Sequence, residues 1–144
     1  MNHSSIALYN EVYQAARSGF TSLDTMEKAL GPSSPLTPSI RRQKQVYSDM
    51  IVQSATTLKN AGHPAQDISA FKKLQMKTGV NAGLMMDKGT SHAAEMIIQG
   101  ATMGITSMQQ KLNQLTAAEP QARDLGSRMI QADQRYIEQM KQYL

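Results

Sequence analysis

Apolar side chains recur every three or four residues over most of this chain, which is the spacing of one face of an α-helix. In the first segment this repeat comprises Ile6, Tyr9, Tyr13, Ala16, Phe20, Leu23, Glu27 and Leu30. Ser4 or Ser5 can cap the start of the segment, and Gly31-Pro32 ends it. The pattern predicts a first amphipathic helix between these limits.

Two further segments show the same helical repeat. One runs from about Pro38 to about Asn60, where Gly62-His63-Pro64 stops it, and carries the stripe Ile40, Lys44, Tyr47, Ile51, Ser54 and Leu58. The other begins near Glu119-Pro120, reaches the C-terminus, and carries Leu125, Met129, Ala132, Tyr136 and Met140. We predict a helix for each.

The stretch from Asp67 to Leu115 keeps one heptad-like register, but a single helix of that length would extend about 70 Å. Its glycines, Gly79, Gly83 and Gly89, each cost about 1 kcal/mol inside a helix, so we predict a break between Thr78 and Thr90. The result is a single domain, residues 1–144, with an all-α fold. We expect an antiparallel four-helix bundle whose long, partly helical connection, Gly62 to Gly89, crosses from helix 2 to helix 3. A five-helix bundle is the alternative.

Two stretches carry a resemblance to known proteins: AEMIIQGATMGI, residues 94–105, and ADQRYIEQMKQYL, residues 132–144. Here the chain resembles a group of small ferritin-like helical proteins of Gram-positive bacteria, near the spore-coat F type. The similarity extends over most of the chain. It implies a ferritin-like fold and carries little information about function.

Ferritin-like di-iron proteins use two glutamates and two Glu-x-x-His motifs, and this chain contains no Glu-x-x-His. The nearest approaches are His92-x-x-Glu95, in reversed order, and Asp133-x-x-Tyr136, with tyrosine in the place of histidine. Of the metal-ligand candidates Glu95, His92 and Asp133, only Asp133 lies at mid-helix on an apolar stripe. We therefore expect no metal and no other cofactor. Asp133 should be a structural residue with a buried partner, for which the candidates are Tyr13, Tyr47 and Lys44.

Composition narrows the function classes further. The absence of cysteine excludes disulfides, thiolate metal sites and thiol catalysis, and the eleven methionines are expected to fill the core. The net charge of +4 is spread evenly over both halves of the chain, which disfavours nucleic-acid binding. The least charged stretch, Ala93 to Met108, is interrupted by polar residues and glycines, so no membrane span is expected. The N-terminus does not have the pattern of a signal peptide, which favours a cytoplasmic location.

These observations favour a non-enzymatic helical bundle that acts through protein–protein contacts or assembly. Methionines and small residues beside the Ala93 to Met108 stripe predict surplus apolar surface, and from this we expect a protein partner or self-association as a homodimer. The alternative is a ferritin-like metal-binding protein or oxidase that uses Glu95, His92 and Asp133. A third hypothesis, Dps-like association with DNA, is disfavoured by the even distribution of charge.

Overall fold

The computed structural model describes all 144 residues and contains five α-helices and no strand. The helices are α1 (His3–Leu30), α2 (Thr37–Asn60), α3 (Ala70–Met86), α4 (Thr90–Gln114) and α5 (Pro120–Lys141). The predicted all-α class is confirmed. The helix count is that of the five-helix alternative, because the long connection contains a complete helix, α3.

The start of α1 is fixed by side-chain hydrogen bonds to two parts of the chain. Asn2 caps α1, in place of the predicted Ser4 or Ser5, because its Oδ1 accepts a 2.8 Å hydrogen bond from the backbone N–H of Ser5. The Asn2 amide donates to the carbonyl of Ala117 at 2.9 Å, and the backbone N–H of Glu119 donates to Ser5 Oγ at 2.8 Å. The first turn of α1 is therefore joined to the loop between α4 and α5.

Helices α2 and α4 both pack antiparallel to α1. Between α1 and α2, Glu27 pairs with Arg41 at 2.8 Å and Asp24 pairs with Lys44 at 2.9 Å, so the paired residue numbers rise on one helix as they fall on the other. Lys111 of α4 reaches Glu11 of α1 at 3.3 Å. Together with the contact at Ala117, this pair shows that α4 also runs antiparallel to α1.

The segment between α2 and α3 returns along α1. The backbone N–H of Gln66 donates to Asn10 Oδ1 at 2.9 Å, and its carbonyl accepts a 2.8 Å hydrogen bond from Gln14. One turn further along α1, Arg17 approaches Asp67 at 3.3 Å, and Lys73 of α3 binds the same carboxylate at 2.9 Å. The connection therefore runs in the direction of α1, and α3 continues that path.

The break between α3 and α4 lies at the C-terminal end of the predicted interval. Gly79 and Gly83 lie inside α3, and the chain leaves the helix only after Met86. Asp87 Oδ1 accepts a 2.7 Å hydrogen bond from the backbone N–H of Gly89, which closes a tight turn before α4. Gly83 allows α3 to approach α4, since a Cβ at this position would lie 2.6 Å from the terminal methyl of Met96.

One continuous cluster of buried apolar side chains occupies the interior and includes residues from all five helices. Its fully buried members include Leu8 and Val12 of α1, Ile40 and Leu58 of α2, and Leu125 of α5. Helix α3 contributes a single buried side chain, Leu84. None of the helices combines the length and apolarity that a membrane crossing requires.

Candidate functional site

A buried hydrogen bond joins α2 to α5 at the middle of the bundle. The hydroxyl of Tyr47 donates to Oδ1 of Asp133 at 2.6 Å, and the two residues are 5% and 3% exposed. The other carboxylate oxygen, Oδ2, accepts no hydrogen bond from any protein group, and no lysine or arginine forms an ion pair with Asp133. Asp133 is thus a buried acid with one donor and no counter-cation.

Two glycines make room for this pair on the facing helices. A Cβ on Gly19 of α1 would lie 2.6 Å from Cε2 of Tyr47, and a Cβ on Gly104 of α4 would lie 3.2 Å from Oδ2 of Asp133. Any larger residue at position 19 would displace the ring that holds Oδ1. The pair and its glycines therefore bring four helices together at one level.

Burial shifts the ionisation of the three acidic groups in this region. Burial raises the pKa of Asp133 to about 6, although the hydrogen bond from Tyr47 opposes the shift. Burial, followed by the negative charge of Asp133, raises the pKa of Tyr47 far above its ordinary value. Burial likewise raises the pKa of Tyr136. Both phenols therefore stay neutral wherever Asp133 titrates.

Asp133 lies at the wall of a cleft of about 580 Å³ between α1, α3 and α4, which we call the central cleft. The cleft exists because α3 packs mainly on α1 and makes only slight contact with α4. About half of its lining residues are apolar, and its charged residues are Glu11, Lys72, Lys111 and Asp133. Ser18 contributes a buried Oγ without a hydrogen-bond partner. Six methionines contribute to the lining: Met26, Met76, Met96, Met103, Met108 and Met129. A volume of this size is within the range of small-molecule sites.

The structure keeps the three candidate metal ligands apart. Glu95 is exposed and accepts a 3.3 Å hydrogen bond from Gln99, while His92 lies in the first turn of α4. Gly104, the α4 residue that faces Asp133, is about 13 Å along the helix axis from Glu95. No group of three or more histidine, aspartate or glutamate side chains converges at a point where a metal could bind.

Of the predicted partners for Asp133, the structure selects Tyr47. Lys44 instead donates to Asp24 and Glu27, each at 2.9 Å, and its Nζ lies 5.0 Å from the centre of the Phe20 ring. The sequence analysis missed Gly19 and the unpartnered Ser18. The spacing Gly100-x-x-x-Gly104 is typical of close helix packing, and the structure places Gly104 against Asp133.

Helix α3 presents a second surface, on the side away from the central cleft. Phe71, Leu74 and Met85 are 69%, 62% and 83% exposed, and none of them lines the cleft. At about 100° per residue, these three side chains lie within roughly 60° of one another around the helix axis. Met76, which lines the cleft, lies on the opposite side of the helix. We call these three residues the outer face of α3.

No protein-family model matches this chain, and neither a curated protein nor a solved structure is detectably similar to it.

Proposed function

We propose that this protein is a non-enzymatic helical bundle that binds another protein, and that the outer face of α3 receives an acidic amphipathic helix of that partner. The observation that carries this proposal is the two-sided apolar character of α3. One side of the helix, with Met76, Val80 and Leu84, faces α1 and the central cleft, while the outer face is open. A helix that is apolar on both sides is typically covered on both sides.

The charge of α3 and its following turn defines the partner. Residues 70–89 contain four lysines and one aspartate, a net charge of +3, whereas the whole chain carries +4. Lys73 pairs with Asp67 and Lys72 lines the central cleft, whereas Lys77 and Lys88, which remain beside the outer face, form no ion pair. Two copies of the chain joined through this face would bring like charges together, so an acidic partner is favoured over a second copy.

The side chains on and beside the outer face suit a helical partner. Met85 and Met86 have flexible, polarisable side chains that adapt to the shape of an apposed surface. An amphipathic helix would place its apolar residues on Phe71, Leu74 and Met85 and its carboxylates beside the flanking lysines. A metal-dependent role has no comparable support, since no three histidine, aspartate or glutamate side chains converge at one point.

The ferritin-like relationship is part of the same proposal. The antiparallel pair α1–α2 and the connection that returns along α1 before α4 are consistent with such an arrangement. The homodimer expected from the Ala93 to Met108 stretch stays a separate prediction. Met103, which is exposed on α4, is the apolar side chain that such a dimer would cover.

Fluorescence anisotropy with two designed helical peptides tests the proposal. Both peptides carry leucines at helical spacing, one with flanking glutamates and the other with flanking lysines. We expect the acidic peptide to bind at least tenfold more tightly than the basic one. The substitutions Phe71→Ser and Leu74→Ser together should weaken its binding at least tenfold.

Val52→Ser provides the matched control, because Val52 is also a large apolar residue, 61% exposed, but lies on α2. This variant should keep the affinity of the natural chain. Equal binding of both peptides, or equal weakening by the control, would contradict the proposal. Binding to anionic phospholipid vesicles without binding to the acidic peptide would contradict it in favour of a membrane surface.

A further inference from the structure

The carboxylate of Asp133 has no cation beside it, and only one of its two oxygens accepts a hydrogen bond. A buried carboxylate is ordinarily paired with a cation or held by several donors, because burial of an unpaired charge costs several kcal/mol. Asp133 is 3% exposed, has Tyr47 as its single donor, and keeps Oδ2 without a partner. The protein itself thus leaves one strong acceptor unused in its interior.

The unused oxygen borders space that a ligand could occupy. Asp133 and Gly104 both line the central cleft, and the missing Cβ of Gly104 leaves room beside Oδ2. On the α1 side of the same cleft, Ser18 Oγ is buried without a hydrogen-bond partner. Glu11 and Lys111 also line the cleft, but they pair with each other at 3.3 Å, which leaves Asp133 as the acid of the lining without a cation.

We propose that the central cleft binds a small apolar molecule that carries one amine, with the ammonium group on Oδ2 of Asp133. The ammonium supplies the cation that the carboxylate lacks, and the hydrocarbon part lies among the methionine side chains of the cleft. An anionic group at the position beside Oδ2 is repelled by the same carboxylate. A metal ion finds a single ligand there, which is too few for any common metal site.

This site is separate from the outer face of α3. The residues that line the central cleft include Met76 and Val80, on the opposite side of α3 from Phe71 and Leu74. A helical partner on the outer face and an amine in the cleft therefore use different side chains. Failure of one proposal leaves the other standing.

Two probes of nearly equal size test the proposal: 3-phenylpropylamine and 3-phenylpropan-1-ol. Binding is followed by NMR of protein labelled at the methionine methyl groups. The six methionines that line the cleft should shift on titration, while Met50 and Met140, which are buried elsewhere, should not. We expect the amine to bind at least tenfold more tightly than the alcohol.

Two variants assign the preference to Asp133. Asp133→Asn keeps an acceptor for Tyr47 but removes the charge, and the amine and alcohol should then bind within about twofold of each other. Gly104→Ala places a methyl group beside Oδ2 and should weaken amine binding at least tenfold. Gly79→Ala is the control for helix propensity, since a Cβ there meets no atom within 4 Å and Gly79 does not line the cleft.

The proposal is overturned if the natural chain shows no preference for the amine, or if the shifts do not concentrate on the cleft methionines. It is also overturned if the preference survives both Asp133→Asn and Gly104→Ala. Circular dichroism establishes that each variant is folded. If Asp133→Asn does not fold, the Gly104→Ala result decides.

Discussion

Tyr47 and Asp133 form the one buried side-chain hydrogen bond that joins two helices of the bundle, 2.6 Å from the phenol oxygen to Oδ1. The bond is asymmetric, because the neutral phenol satisfies only one oxygen of the carboxylate. Burial raises the pKa of Asp133 to about 6, and the single hydrogen bond from Tyr47 offsets only part of this shift. The pair therefore fixes the relative position of α2 and α5 and also makes their packing sensitive to pH.

The first prediction concerns this pH dependence. The pKa of Asp133 is about 6 in the folded chain and 3.8 ordinarily, so the folded state holds its proton more tightly. The proton on Asp133 therefore stabilises the folded state by about 3 kcal/mol. This contribution to the free energy of unfolding is fully present below pH 3.8 and is lost as the pH rises through 6. The amide introduced by Asp133→Asn does not titrate. The free energy of unfolding of Asp133→Asn, measured relative to that of the natural chain, should therefore increase by about 2.5 kcal/mol between pH 4 and pH 7.5.

Urea unfolding at both pH values measures this difference. Other carboxylates titrate equally in the two chains and cancel in the comparison, and Tyr47 and Tyr136 remain neutral throughout. Asp124→Asn is a suitable control, since Asp124 is an exposed partner of Arg128. A difference between Asp133→Asn and the natural chain that stays constant with pH would show that Asp133 ionises normally.

The second prediction tests the hydrogen bond by a double-mutant cycle. Asp133→Leu removes the acceptor of a buried hydroxyl and should lower the free energy of unfolding by about 1–3 kcal/mol. Adding Tyr47→Phe removes the stranded hydroxyl, so the double variant should recover most of this loss. Urea unfolding at pH 7 provides the four free energies. Losses that simply add would mean that the two residues are not coupled.

The third prediction concerns the glycine behind Tyr47. In Gly19→Ala the new methyl group would lie 2.6 Å from Cε2 of Tyr47, so the ring or α1 must move. We expect a net loss of about 1–2 kcal/mol in the free energy of unfolding, because the clash outweighs the gain in helix propensity. Gly79→Ala meets no atom within 4 Å and should instead stabilise the chain by about 1 kcal/mol. Equal stabilisation by both substitutions would rule out the close approach.

The sequence predicted the positions of four of the five helices because their apolar stripes repeat strongly and end at Gly31-Pro32 and Gly62-His63-Pro64. The sequence analysis underestimated the length of α3, because it placed the break at the glycines. A glycine destabilises a helix by only about 1 kcal/mol, and packing can override that amount. Gly83 remains helical where it faces Met96. Local propensity does not include such contacts.

The interior of the site was predicted less completely. The inward position of Asp133 follows from the stripe that it shares with Tyr136, and Tyr47 was among its three candidate partners. The choice of Tyr47 over Lys44 depends on the distance between helices, which no local pattern specifies. The central cleft depends on the angle between α3 and α4, and its existence could not be predicted from periodicity.

The last prediction concerns the attachment of α3, which buries only Leu84 and therefore has little packing of its own. Its N-terminal end is held through Asp67, whose carboxylate binds Lys73 at 2.9 Å and Arg17 at 3.3 Å. Although partial burial opposes the shift, the hydrogen bonds from Lys73 and Arg17 lower the pKa of Asp67 to about 2. The interaction is thus present above pH 3.8 and lost as the pH falls towards 2.

Because Asp67 is half-exposed, Asp67→Ala should reduce the global free energy of unfolding by less than about 1 kcal/mol. Its local effect should be larger: backbone amides of α3 should exchange with deuterium at least fivefold faster, while those of α2 and α5 keep their rates. Asp124→Ala, which removes an ion pair within α5, is the matched control and should leave α3 unchanged. If both variants exchange alike in α3, the helix is held by its packing on α1 alone, and Asp67 has no anchoring role.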